Sequence, residues 1–299
     1  MSKKAVIDLG TNTFHLLITD AKNDGTFVQI HRERHFVKLG ENGVAEIGPA
    51  PYQRGINTLS AFKRILDENE VRQVRVFGTA ALRTAVNGAD FVREVKQKID
   101  LDISLISGDE EARLICLGVR QAVPFSEEKV MIMDIGGGSV EFIIADEKDI
   151  FYAQSFPIGV SVLRSEFHKT EPVAPSEIHA LQIHLTKVLH PLDEALKKYP
   201  VRNLIGASGT FDVLENLLEK EEENNLYSVL NSENFYPLYR RLLTTRLDQR
   251  MHMPGLPPDR ADMIIVALIL IDYILKLARI EKITVSAYAM KEGMLAEMQ

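Results

Sequence analysis

The chain has 299 residues, is 45% hydrophobic and 26% charged, and carries a formal net charge of −7. That is ordinary globular composition with enough apolar material for a large core and a length that suits two domains, and the acidic balance argues against a nucleic-acid binder or a protein of anionic membrane surfaces. The one cysteine, Cys116, leaves no internal disulfide and fits a cytoplasmic setting, while Asp8 stands where a signal peptide would need an apolar run.

In chain order, AVIDLG and FHLLITD read as strands joined by a turn at Gly10 to Thr13. FVQIHRERHFVKLG follows with partial alternation; His31 and His35 share one face of it and read as solvated surface rather than as a metal pair. Pro51 opens a helix to about Asn69, with Ile56, Leu59, Phe62 and Leu66 on one stripe. RQVRVFGT is a strand, TAALRTAVNG a short helix stopped by Asn87-Gly88, DFVREVKQKI a helix and DISLIS a strand. A helix spans about 109–122, and the polar PFSEEK after it marks a domain boundary, dividing the chain into 1–123 and 124–299.

The second half opens on three strands, KVMIMDIG, VEFIIAD and DIFYAQSFPIG. Apolar residues at 178, 181, 185, 188, 192, 196 and 199 predict one long helix over 176–199, kinked at Pro191. His179, His184 and His190 on it are spaced so that no helical face collects them as ligands. RNLIGASGT is a strand and turn, and EKEEENN reads as a solvated helix end. A helix over 259–278 contains MIIVALILIDYIL, which is too short to cross a membrane and carries Asp272, so it belongs in a protein core. A final strand and helix close the chain, the helix being able to pack back on the first domain.

An internal repeat appears at an offset of 126: DLGTNTFHLLITD from Asp8 lies on DIGGGSVEFIIAD from Asp134. Both copies read strand, glycine-bearing turn, strand. This predicts two domains of like fold facing each other across a cleft.

The loop Gly136-Gly137-Gly138-Ser139 is neither of the two familiar nucleotide loops. No lysine follows it as a Walker loop requires, and a strand rather than a helix comes next. Its glycines still let backbone N–H groups approach an anion, Ser139 adds a hydroxyl donor, and Thr11, Asn12 and Thr13 offer the same services in the other copy. The plainer alternative is a tight turn that needs positive φ. Acids beside bound phosphate repel it unless a divalent cation intervenes, so Asp8 and Asp134 are candidate ligands of Mg²⁺ or Mn²⁺, and Glu141 shares that side of its strand. Ser107-x-x-Glu110 is a capping box that accounts for Glu110 and leaves Glu111 available to orient and deprotonate a water, although spacing alone reads it as a helix-start acid. Arg83 follows a strand end at a helix start, where it suits an anion contact or simply the surface.

Together AVIDLGTNTFHLLI, GTAALRTAVN, ISGDEEARLICLGV, MDIGGGSVEF, FPIGVSVL, IGASGT, PPDRADMI and VSAYAMKEGML resemble the exopolyphosphatase / guanosine pentaphosphate phosphohydrolase (Ppx/GppA) family over nearly the whole chain. The resemblance implies an α/β fold of two ribonuclease-H-like (actin-like ATPase) domains around a phosphate-binding cleft. It implies Glu111 as the catalytic base, Glu141 as a second essential carboxylate, Asp8 and Asp134 on the metal side, and Arg83 on phosphate. Lys291 stands where the family usually has arginine, which keeps the charge and loses the bidentate fork.

The expected activity is Mg²⁺-dependent release of terminal orthophosphate from short polyphosphate, from pppGpp, or from both. No nucleic-acid or membrane partner is expected, and a homodimer is compatible with the family. One rival reading is an ATP-using kinase or ATPase of the same fold, with Gly209 in GASGT touching a nucleotide; another is a non-catalytic sensor of polyphosphate or alarmone.

Overall fold

The computed structural model describes residues 3–21, 27–41 and 43–298. The chain divides into two units: one runs to Gly118 and takes back the segment from Met290 onward, the other is Val119–Ala289. The division falls inside the helix Gly108–Ala122 rather than after it, because its last turn is tied into the second unit, where Arg120 donates to the carbonyls of Asp146 and Asp149.

The first unit is built on a five-stranded sheet of β1 (Lys3–Leu9), β2 (Thr13–Ala21), β3 (Phe27–Phe36), β4 (Gln73–Gly78) and β5 (Ile103–Leu105), ordered β3-β2-β1-β4-β5. β1 to β3 are antiparallel neighbours, while β4 and β5 run parallel to β1. Its core is formed by Ile7, Leu9, Phe14 and Leu16 from the sheet, packed against Ile56, Leu59, Phe62 and Leu66. Those four come from the helix Pro49–Glu68, as its apolar stripe predicts.

The second unit holds β6 (Val130–Ile135), β7 (Val140–Ala145), β8 (Ile150–Phe156), β9 (Asn203–Ala207), β10 (Lys220–Glu223), β11 (Tyr227–Leu230) and β12 (Lys282–Ser286), in the order β10-β11-β12-β9-β6-β7-β8. Every residue of β6 and β7 is buried, so both faces of these strands are covered. The helix Ile264–Ala278 lies in this unit's core, with Ile264 to Ile271 buried without interruption. Among the described residues no helix is long and apolar enough to cross a membrane.

Four local readings change. The long helix of 176–199 is two helices, Pro175–Val188 and His190–Lys198, broken at Leu189 just before Pro191. Asn87-Gly88 opens the helix Gly88–Ile99 instead of stopping the previous one. Asn87 is fixed by paired hydrogen bonds to the backbone of Ile47, and a Cβ on Gly88 would collide with the carbonyl of Leu82. The charge run EKEEENN is not a helix end but β10, an edge strand whose glutamates discourage pairing with another chain. The buried helix starts at Ile264, after a single 3₁₀ turn at Pro258–Arg260.

Candidate active site

The parallel strands decide where the functional residues gather. In the first unit Leu9, Gly78 and Leu105 lie side by side, so the chain leaves β1, β4 and β5 at one edge of the sheet. The turn Gly10–Thr13, the helix Ala80–Thr84 and the start of the helix Gly108–Ala122 all begin there. Thr79 N donates to Leu9 O at 3.3 Å and Ile106 N to Gly78 O at 3.2 Å, which stitches the three exits together. Arg83 Nη1 donates to Ile106 O at 2.7 Å and lies 3.4 Å from Glu111 Oε2, so two residues 28 apart in sequence meet.

The start of the Glu111 helix follows half of the predicted capping box. Ser107 Oγ accepts from Glu110 N at 3.2 Å. The Glu110 carboxylate, however, turns to Arg113 in a two-pronged pair at 2.8 Å, and that pair holds it below the usual carboxylate range. Arg113 also pairs with Glu297, which is bridged to Arg75 at 3.1 Å. Glu110 is thus engaged in anchoring the helix, and Glu111, 8% exposed, is the acid presented beside Arg83.

In the second unit β6, β9 and β12 are parallel, with Asp134 beside Ala207 and Gly206 beside Val285. The turn 136–139 and the Ser208-Gly209 pair therefore leave the same edge. Antiparallel pairing sets Asp134 opposite Glu141 and Glu141 opposite Ser155, one row across three strands on one face. Asp134 is 7% exposed and Glu141 1%. Ser208 Oγ donates to Asp134 Oδ2 at 2.7 Å, and Ser155 Oγ to Glu141 Oε1 at 2.6 Å.

The two turns are equivalent. Gly10 N donates to Thr13 O and Gly136 N to Ser139 O, both at 3.0 Å and 126 residues apart. None of Gly136, Gly137 and Gly138 has positive φ; the described glycines that do are Gly43 and Gly255. The tight-turn explanation therefore fails. The carbonyls of Gly136, Gly137 and Gly138 instead accept from Val160 N, Ser161 N and Gly159 N at 3.0, 2.9 and 3.2 Å. In a planar trans peptide the following N–H points the opposite way. The amides of Gly137, Gly138 and Ser139 thus face together, away from the helix Val160–Phe167, as an anion-binding concavity requires. In the first unit Thr11 O accepts from Gly40 N, and Asn12 O from Val37 N and Lys38 N, which orients the amides of Asn12 and Thr13 in the same manner.

Two acids set directly opposite on one face repel each other. The donors at this row are carboxylate and hydroxyl oxygens, the chemistry that a hard divalent cation such as Mg²⁺ or Mn²⁺ selects. Asp134 and Glu141 therefore fit such an ion. Asp8, half-buried on β1, faces His15 rather than a second acid. A geometric cluster of His190, Asp193 and Glu194 lies on another helix, where Lys197 already pairs with both acids at 2.9 and 2.7 Å.

Sequence reasoning missed Ser208, Ser155 and Arg260. Gly209 is the signal for the last of these: a Cβ there would lie 2.8 Å from Arg260 Cζ, so the glycine makes room for a guanidinium delivered from 51 positions away. The sequence carries no local signal for Ser155, whose partner is defined by the register of β7 with β8.

Comparison with known proteins follows the same lines. A family model described as the Ppx/GppA phosphatase family matches residues 18–299. The crystal structure of an exopolyphosphatase from Cytophaga hutchinsonii is 37% identical, with a TM-score of 0.94 over 99% of this chain and 97% of that one. The crystal structure of the Aquifex aeolicus member of the Ppx/GppA protein family is 24% identical, with a TM-score of 0.81 over 99% and 97% of the two chains. A guanosine-5'-triphosphate,3'-diphosphate pyrophosphatase from Photobacterium profundum is 28% identical over 296 residues, which span 98% of this chain and 59% of that protein. The α/β units are of the expected ribonuclease-H-like, actin-like ATPase type.

Proposed function

The chain belongs to the Ppx/GppA phosphatase family, and on that premise we propose that it hydrolyses phosphoanhydrides, releasing terminal orthophosphate from short polyphosphate, from pppGpp, or from both. The observation that carries this reading is the buried Asp134–Glu141 pair beside a turn whose amides face one way. Amides of that kind select an anion, and buried acids next to an anion make sense where a cation joins the two.

In this reading Asp134 and Glu141 would hold Mg²⁺ or Mn²⁺. The cation's chemistry there is to offset phosphate charge and fix the orientation of the phosphate oxygens. The amides and the hydroxyl of Gly136 to Ser139 bind non-bridging oxygens, and the turn Thr11 to Thr13 offers donors of the same kind in its own unit. Water attacks the terminal phosphorus in line with the departing phosphate oxygen, and Glu111 orients it and accepts its proton. The Arg83 guanidinium, tied to Ile106 O and lying 3.4 Å from Glu111, steadies the carboxylate and, in this reading, contacts phosphate. Most of the acceleration comes from this fixed electrostatic setting.

Replacing Glu111 by Gln should lower phosphate release by ~10²–10⁴-fold, the usual contribution of a general base, with folding intact. Near-full activity in that variant would remove Glu111 from the role. A panel of tripolyphosphate, long polyphosphate, pppGpp and ATP, each with and without Mg²⁺, assigns the substrate. Tight binding without turnover in Mg²⁺ would make the chain a sensor instead.

A further inference from the structure

We propose that Ser208 is a positioning residue whose hydroxyl sets the orientation of Asp134 toward a bound divalent cation; the inference rests on the reading of Asp134 as a cation ligand. Ser208 has φ 67° and ψ 179°, a conformation close to glycine-only. A serine in that backbone state needs a reason that glycine would not satisfy. Helix capping is not the reason. Ser208 precedes the helix Gly209–Leu217, yet its side chain makes no capping hydrogen bond. The hydroxyl is turned instead to Asp134 Oδ2 at 2.7 Å.

The neighbouring residues show how the strained state is held. Ser208 O accepts from Phe211 N at 3.0 Å and Asp212 N at 3.3 Å. A Cβ on Gly206 would collide with the Phe211 ring, and one on Gly209 would collide with the Arg260 guanidinium. The two glycines of G-A-S-G-T thus let an aromatic ring and a guanidinium close on the backbone from either side of Ser208. A strained residue persists where its surroundings over-determine it. Here they do so next to Ala207, the register partner of Asp134, where the Ser208 side chain reaches the acid of the adjacent strand. A carboxylate bound to a cation is in turn held by hydrogen bonds from its surroundings, and losing such a partner typically weakens binding or activity.

Glycine and alanine at position 208 separate this role from a structural one. Ser208→Gly removes the hydroxyl and relieves the backbone; Ser208→Ala removes the hydroxyl and keeps the strain. In the full chain, Mn²⁺ affinity is read by electron paramagnetic resonance titration, kcat and KM on tripolyphosphate, and Tm by thermal unfolding. Both variants should bind Mn²⁺ and turn over substrate ~10–100-fold less well, the usual range for such a partner. Ser208→Gly should do so with an unchanged or raised Tm, and Ser208→Ala with a Tm below that of Ser208→Gly. Wild-type Mn²⁺ affinity and kcat/KM in Ser208→Gly overturn the proposal alone, as does a joint loss of Tm and activity in that variant. A wild-type chain that binds no Mn²⁺ overturns the cation reading and this proposal with it.

Discussion

The two hairpins share a turn and differ in the row of side chains beside it. On β1, β2 and β3 the row is Asp8, His15, Arg34; on β6, β7 and β8 it is Asp134, Glu141, Ser155. Both turns close with the same 3.0 Å bond and have their carbonyls tied from behind. The backbone service is therefore common to both copies, and the chemistry is not. The first row sets one carboxylate beside an imidazole, with a guanidinium one strand further on. The second sets two buried carboxylates against a hydroxyl, an all-oxygen row of the kind that suits a divalent cation. A repeated fold has been kept for its turn and divided in its electrostatics.

The sharpest way to break this comparison is to remove the middle residue of each row. Glu141→Gln should lower kcat/KM on tripolyphosphate by ~10²–10³-fold, the usual loss when one well-placed electrostatic group goes, and should weaken Mn²⁺ binding. His15→Gln should change kcat/KM by less than ~10-fold on the same reasoning, since no buried like-charge pair stands there. Equal losses in the two variants would mean that the rows do the same work, and the division would be wrong.

The backing of the two turns offers a smaller contrast. A Cβ on Gly159 would run into the backbone of Gly137 and Gly138, whereas one on Gly40 would meet the Thr11 methyl at 2.6 Å. Backbone cannot give way as a side-chain methyl can. Gly159→Ala should therefore destabilise by about 1–3 kcal/mol, the range for overpacking, and should lower phosphate release by displacing the amides. Gly40→Ala should cost less than that on both counts. Thermal unfolding and a phosphate assay on the pair check it, and a Gly40→Ala variant as damaged as Gly159→Ala would show that both turns are equally rigid.

The offset of 126 and the glycine-bearing turns made the hairpins and both aspartates legible in the sequence, because strand period and turn chemistry are local. Glu111 was nameable, though local spacing alone favoured a plain helix-start acid; its meeting with Arg83 depends on three parallel strands ending in register. The three glycines read in the sequence as room for backbone to approach an anion; that their carbonyls are tied to the start of the helix Val160–Phe167, some twenty residues on, was not legible locally. Ser208 and Arg260 were out of reach for a firmer reason. Positive φ at a serine, and a guanidinium filling the space over Gly209, are set by packing between segments far apart in the chain. The misread EKEEENN shows the same limit: seven polar residues carry no period, and only the neighbouring β11 makes a strand of them.

Acid distinguishes the two units more gently. His168 is fully buried in the second unit, with Arg164, Glu171, Arg250 and Glu177 acting on it; burial first, then the Arg164 charge, pushes its pKa below the usual 6.5. Arg250, also fully buried, holds this region with two bonds to Glu171 at 2.7 and 2.9 Å and others to the carbonyls of Thr245 and Ala261. A depressed folded-state pKa means that the unfolded chain binds the proton more readily. His168 therefore adds full stability above 6.5 and loses it as pH falls through the lowered folded value. In the first unit one group of this kind is Glu110, lowered chiefly by its hydrogen bonds with Arg113, and its contribution holds down to its unfolded value of 4.5. Between these two values the second unit should loosen while the first does not. Hydrogen exchange at pH 7.5 and pH ~5.5, a point chosen between the two ordinary values, should show faster opening of amides in 160–172 and unchanged protection in 108–118. Replacing His168 by Gln should abolish the difference between the two pH values, because the proton then has no buried ring to enter. Equal protection of 160–172 at both values in the unmodified chain would show that the network around Arg250 accommodates a charged imidazole, and the units would not differ in their response to acid.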